Sequence, residues 1–412
     1  MVFSGWMIVV AGFFVLLASW GSQFAFGVFL IPLTEEFGWD RASTAGIFSL
    51  SVLLFGIGSI FSGRITDRLG PRLVVGVGGI FLGGGLILSA FIQSLWQLYA
   101  CYGVLMGIGV SAGWGPLVAT VSRRFIARRG LAMGIMSIGI SMGILAVPLL
   151  ASYLIGIFGW RISFMCMGLI TGAIIIGSAY LLQGGPKSRD HVPYGEKISS
   201  VPPGTGSASS NPLDIVTEDW SLSQALRTRT FWMIFAGYLF WCTGFYMIPV
   251  HVAAYGKDIG LSPMASAAAV SLIGGGSIFG KVLMGFLSDR IGPQKVVVIN
   301  LLLQSLCIFG LIGSRSAPSL YFFSTIFGFG YGGTGPQIPV VTAKFFGLSS
   351  MGTIFGVLIL SGQIGGAVGP LLAGKIFDLS QSYALAFFLG GASVLAAFVL
   401  VLLARLPTRS SL

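Results

Sequence analysis

Charge is what this 412-residue chain has least of: 8% of its residues are charged, and only 12 are acidic. The surface of a soluble chain this long needs far more, which excludes an ordinary water-soluble globular protein. Histidine is down to two residues and cysteine to four. Cys101, Cys166, Cys242 and Cys307 each fall inside an apolar run, so no disulfide framework or metal-ligand spacing is visible. Phosphate-cradling glycine loops, Ser/His/Asp sets and paired catalytic carboxylates are missing too. Catalysis, a resident metal and a cofactor are therefore not expected. The first apolar run is too long for a signal-peptide core and has no clear cleavage site, so it reads as a retained first helix.

What is abundant is apolar residues, at 55%, and glycine, at 62 residues; mean hydropathy is +0.93. Small residues let membrane helices approach closely. Stretches long enough to cross a bilayer occur at 6–31, 43–62, 73–94, 96–121, 130–156 and 160–183. A second set follows at 229–254, 264–286, 294–314, 317–343, 350–376 and 382–405. Between the sets lies a Pro-, Gly- and Ser-rich stretch of mixed charge that reads as a linker, with a short amphipathic turn near Trp220–Leu226. The expected organisation is an N-terminal six-helix bundle (1–183), a cytoplasmic linker (184–228) and a C-terminal six-helix bundle (229–412).

The net charge of +11 would suggest nucleic acid only if its position were ignored. Arg64, Arg68, Arg72, Arg123, Arg124, Arg128, Arg129, the linker's basic residues, Arg290, Lys295, Lys344, Arg405 and Arg409 all fall on one side. The other side has only Arg41, Arg161, Lys257, Arg315 and Lys375. By the positive-inside rule the first side is cytoplasmic and holds both termini. The expected place is a bacterial inner membrane, crossed many times.

The halves echo each other at an offset of about 220 residues, a parallel repeat of the kind that frames a substrate site between two rocking bundles. Gly5-Trp-Met-Ile-Val-Val is echoed by Phe231-Trp-Met-Ile-Phe. Gly63-Arg-Ile-Thr-Asp67-Arg68-Leu-Gly-Pro is echoed by Gly285-Phe-Leu-Ser-Asp289-Arg290-Ile-Gly-Pro. Gly115-Pro116 with Phe125 is echoed by Gly335-Pro336 with Phe345.

The Asp67-Arg68 and Asp289-Arg290 loops resemble those between helices 2 and 3 and helices 8 and 9 of the major facilitator superfamily. Their expected role is a latch. Asp67, Arg68, Asp289 and Arg290, with Arg128 and Arg129, would pair across the cytoplasmic end and hold the outward-facing state. Gly5-Trp6…Val9-Val10…Gly27-Val28-Phe29 resembles the first helix of the monocarboxylate transporter family. Phe125-Ile-Ala-Arg128-Arg129-Gly-Leu-Ala-Met-Gly134…Gly139…Gly143 resembles that family's entry to helix 5. Bacterial oxalate/formate antiporters are close relatives of that family. The resemblance implies an all-α membrane fold with twelve helices, and a small carboxylate substrate, typically lactate or pyruvate, moved with a proton.

All twelve acidic residues lie in loops or at helix ends, whereas one cation, Lys281, lies at membrane depth. It stands roughly 6 Å, one turn, before Gly285. A lone cation there costs about 2.5–3.5 kcal/mol, so it is a candidate functional residue by default. A bound anion would supply its counter-charge; snorkelling to the cytoplasmic surface is the alternative. In the resembled family this position is typically Arg and engages the substrate carboxylate. Lys is a point charge rather than a planar fork. Phe24 and Ser277 stand where some animal members have a Lys and an Asp, so the usual proton-transfer acid is missing. His251, in the seventh span, titrates in the right range and is a proton-coupling candidate, as is Lys281.

Helix 11 reads Ser361-Gly-Gln-Ile-Gly-Gly-Ala-Val-Gly-Pro, without the second cation that oxalate transporters carry there. Two negative charges against one Lys would leave a buried charge unpaired, which favours a monocarboxylate. Candidate lining groups are Gln23, Trp114, Tyr246, Tyr331, Gln337, Ser361 and Gln363, with Tyr331 placed to donate a hydrogen bond. Val28 and Leu145 are candidates for the wall that limits substrate size. The reading is a monomeric, proton-coupled symporter of L-lactate or pyruvate working by rocker-switch alternating access. A carboxylate antiporter of the oxalate/formate type is the alternative. A transporter-like receptor and a drug effluxer are rivals of other classes.

Overall fold

The computed structural model describes residues 2–124, 129–182, 220–347 and 350–407. Every regular element among them is helical. The N-terminal set comprises α1 (Val2–Phe24), α2 (Phe26–Phe37), α3 (Arg41–Leu69), α4 (Pro71–Ser89), α5 (Leu95–Leu98), α6 (Gly107–Arg124) and α7 (Arg129–Leu181). Past residue 219 come α8 (Leu222–Ala225), α9 (Arg229–Asp258), α10 (Pro263–Ile291), α11 (Pro293–Ile312) and α12 (Ala317–Thr334). The chain closes with α13 (Gln337–Phe346), α14 (Met351–Ser380) and α15 (Ala384–Leu403).

Ten stretches of the described residues are long and apolar enough to cross a membrane. One of them, Ala132–Leu181, breaks at Gly159, where φ is +76°, and so makes two crossings. The pair α12 and α13, interrupted at Gly335-Pro336, supplies the twelfth. The all-α expectation and the twelve spans hold. Three irregularities were not foreseen: a break at Ala25 between α1 and α2, a π-helical segment over Tyr99–Met106 ahead of α6, and the interruption before α13. The turn expected near Trp220 is α8, capped by Ser221.

The echoed loops are built alike. Gly70 and Gly292 have φ of +86° and +91°, a conformation that costs an L side chain energy. Each is followed by a proline at the first helical position, where its missing N–H is harmless. Each donates its own N–H to a hydroxyl residue's carbonyl one turn back, Thr66 and Ser288, at 2.9 Å. The sequence repeat is thus a repeat of backbone geometry.

The two sets of helices meet along α3 against α14 and α7 against α10, with α2 crossing α9. Glycine sets these approaches. A Cβ on Gly274 would overlap the backbone of Ser141, Ile144 and Leu145, and one on Gly374 would overlap Arg41 and Ala42. Within the C-terminal set, α10 and α12 are zipped by Gly276, Gly280, Gly328 and Gly332, each against the other helix's backbone. Close backbone approach of this kind is how helices associate where lipid removes the hydrophobic drive.

Candidate functional site

Lys281 lies two turns beyond Gly274 on the face of α10 that packs on α7. Its half-buried ammonium donates to the Ser137 carbonyl of α7 at 2.7 Å. The contact joins the two halves. No described carboxylate pairs with Lys281: the ion pairs are Arg41–Asp258, Arg161–Glu36 and Lys257–Glu35. A carbonyl oxygen is a partial charge, so the cation is hydrogen-bonded but not neutralised. One turn from Ser137, the buried Ser141 hydroxyl has no hydrogen-bond partner among the described residues.

Depth places Lys281 below an aromatic layer. Lys281 is 18 residues past the outer end of α10, about 27 Å at ~1.5 Å per residue. Phe245 is 13 residues from the outer end of α9, about 20 Å deep by the same rise. At that level Phe24 of α1 stacks on Tyr246 with ring centres 6.0 Å apart and meets Phe245 at 6.1 Å, while Phe48 of α3 meets Tyr246 at 6.0 Å. These rings close the centre between the halves on the outer side of Lys281.

Above the rings lies an ionic layer that sequence reasoning missed. Arg41 of α3 reaches into the C-terminal half. Its Nη1 and Nη2 donate to Asp258 Oδ2 and Oδ1 at 2.6 and 2.8 Å, and Nη1 also donates to the Tyr383 hydroxyl at 2.9 Å. The guanidinium lies 3.7 Å above the Phe377 ring. The backbone N–H groups of Arg41 and Ala42 donate to Asp378 at 2.9 and 2.8 Å. Lys257 pairs with Glu35 beside it. Asp40 caps α3 by accepting from the Ser43 N–H. Burial pushes the Asp40 carboxyl up, but the hydrogen bonds from Ser43 outweigh it and hold the group below the usual range. The outer end is closed in this structure.

The other candidates divide. Tyr331 is half-buried and stacks on Phe245 with ring centres 4.3 Å apart. Gln23, 1% exposed, has neither amide atom hydrogen-bonded among the described residues; it sits just before the break at Ala25. Leu145 lies over Gly275 at the crossing of α7 and α10. Val28 is half-buried beside the approach of α2 to α9. The Ser361 hydroxyl donates to the carbonyls of Leu358 and Phe235 at 2.7 and 3.1 Å, so its one hydrogen is engaged in packing α14 on α9. Gln337 accepts from Ser288 at 2.7 Å. His251 is completely buried, between the Tyr383 hydroxyl and the Pro370 carbonyl, each at 2.9 Å.

At the opposite end of the bundle, Arg68, Asp289 and Arg290 are exposed, and the Arg290 guanidinium lies 4.4 Å above the Phe286 ring. Arg128, and the side chains of Asp67 and Arg129, lie outside the described residues.

Comparison with known proteins agrees with this fold. The pattern of the Major Facilitator Superfamily matches residues 12–370 and 276–412. Human monocarboxylate transporter 12 is 29% identical over 431 residues, covering 98% of this chain and 81% of the relative. Rat monocarboxylate transporter 4 is 27% identical over 408 residues, covering 97% and 82%. A crystal structure of a bacterial homologue of the human lysosomal transporter Spinster superposes with a TM-score of 0.70 at 16% identity, covering 97% of this chain and 95% of that one.

Proposed function

The chain belongs to the major facilitator superfamily, a transporter rather than an enzyme, and from that premise we propose that it carries small monocarboxylates such as L-lactate or pyruvate together with a proton. Its relatives by sequence are named monocarboxylate transporters. The observation that carries the reading is Lys281, an intramembrane cation whose only partner among the described residues is the neutral Ser137 carbonyl. A carboxylate is the stronger acceptor, because it brings a full negative charge to the ammonium where a carbonyl oxygen offers only a partial one. A substrate anion reaching Lys281 exchanges the tether between α7 and α10 for a bond to itself. Loading therefore loosens the contact between the halves on the inner side of the aromatic layer.

Gln23 supplies the second support. A buried amide without partners costs about 1–3 kcal/mol, and a solute with a hydroxyl or oxo group beside its carboxylate relieves that cost. Tyr331 and Leu145 flank the path on the C- and N-terminal halves. The proton accompanies the anion because moving one negative charge inward against a potential costs about 2.3 kcal/mol per 100 mV. In this reading the protein works as a monomer in a bacterial inner membrane, with both termini in the cytoplasm. Uptake of labelled lactate or pyruvate into proteoliposomes tests this. An acid-outside gradient is expected to accelerate accumulation severalfold. Uptake indifferent to the gradient would remove symport, and obligatory preloading with unlabelled anion would replace it with exchange.

A further inference from the structure

The hydrogen bonds around His251 have only one consistent set of directions. Arg41 can only donate, so the Tyr383 oxygen accepts from it at 2.9 Å. The Pro370 carbonyl can only accept, so His251 Nε2 carries a hydrogen and donates to it at 2.9 Å. In the neutral ring Nδ1 is then the acceptor, and the Tyr383 hydroxyl donates its own hydrogen to it, also at 2.9 Å. The chain runs from Arg41 through Tyr383 to His251, and it is complete only with an uncharged imidazole.

Arg41 is the one member of this chain that comes from the N-terminal half. His251, Pro370, Tyr383, Asp258 and Asp378 belong to the C-terminal half and form the cup into which it fits. We propose that His251 is a proton-binding site of the outer gate, and that its neutral form is required for Arg41 to seat between Asp258 and Tyr383. With His251 protonated, Nδ1 becomes a second donor aimed at the Tyr383 oxygen, whose own hydrogen then has no acceptor in the cup. A second cation also stands one phenol oxygen away from the guanidinium. The protonated ring therefore belongs to the open gate, where Arg41 has withdrawn and water reaches Tyr383.

The groups that face this site are few. Tyr383 and Arg41 touch the chain directly. Asp258 and Tyr255 lie on the helix of His251, and Asp378 is on α14. Lys257 and Glu35 are paired farther out. Histidine is the side-chain type that changes charge between about pH 5.5 and pH 8, so acid outside is expected to hold the gate open. This goes beyond the transport reading: it concerns the empty protein and survives if lactate is not the substrate.

The test uses the full chain in liposomes without substrate, with Cys101, Cys166, Cys242 and Cys307 changed to Ala. Spin labels are placed at Gln93→Cys and Arg315→Cys, exposed positions in outer loops of the two halves. Lowering the pH from about 8 to 5.5 is expected to raise the ratio of long to short distances about tenfold. His251→Gln keeps one acceptor and one donor but cannot take the proton; Tyr383→Phe keeps the ring and removes the link. Each is expected to change its ratio less than about twofold over the same range. A full pH response in either variant, or none in the parent protein, overturns the proposal.

Discussion

Arg41 and Asp258 lie 217 residues apart and meet as a planar fork on a carboxylate, with two hydrogen bonds at 2.6 and 2.8 Å joining the halves at the outer end. The pair is largely shielded, with side-chain exposures of 14% and 30%. Asp258→Asn keeps the shape and removes the charge. Losing a charge-assisted pair of this kind costs about 2 kcal/mol, or roughly thirtyfold in the gate equilibrium. The outer vestibule is then expected to be labelled faster by a membrane-impermeant thiol reagent at a cysteine placed at Phe48. An unchanged rate would mean that the Arg41–Asp258 pair does not hold the gate shut.

Two glycines on either side of one helix separate stability from transport. Gly332 packs α12 on α10 within the C-terminal half, while Gly274 packs α10 on α7 between the halves. Gly332→Val is expected to lower the melting temperature of the purified protein, since overpacking costs about 1–3 kcal/mol. Gly274→Val is expected to leave folding nearly intact but to hold the halves apart, cutting transport at least about tenfold. Thermal unfolding and uptake assays on both variants distinguish the roles; equal behaviour would refute the division.

Gln23→Leu removes from the core an amide with no partner among the described residues. Deleting such a group is expected to raise stability by about 1 kcal/mol. If the amide serves the substrate, KM rises in the same variant. A more stable protein with unchanged KM would make Gln23 a folding defect rather than a site residue.

Ser361→Ala behaves oppositely. Its hydroxyl is bound to the Phe235 and Leu358 carbonyls, so a loss of about 1 kcal/mol in stability is expected, with KM changed less than about twofold. A large KM effect would mean that the hydroxyl turns toward the substrate during the cycle.

Much of the frame was legible in one sequence because membrane spans, loop charge and a twofold repeat are each written locally. Lys281 stood out for the same reason: it is the only cation in the middle of an apolar run. The outer gate did not, because Arg41, Asp258, Asp378 and Tyr383 each look like an ordinary loop or helix-end residue until the fold brings them together. His251 could be recognised as titratable but not as part of a directed chain, since that depends on a tyrosine 132 residues away. The Ser361 hydroxyl was expected to face substrate; the close approach of α14 to α9, set by glycines such as Gly365 and Gly369, places carbonyls within its reach instead.

Lys281→Arg tests the shape of the cation. The longer, planar guanidinium can hold a carboxylate through two bonds, so lactate affinity is expected to stay within about threefold of the parent or to tighten. Loss of binding would show that the space beside Ser137 admits only a compact ammonium.

Lys281→Met, titrated calorimetrically with lactate and pyruvate in detergent, bears most directly on the whole account. Removing the ammonium deletes the counter-charge proposed for the anion, and affinity is expected to fall about 10–100-fold while the protein remains folded. Binding of undiminished strength by a folded Lys281→Met protein would contradict the proposal that the substrate's carboxylate is held there.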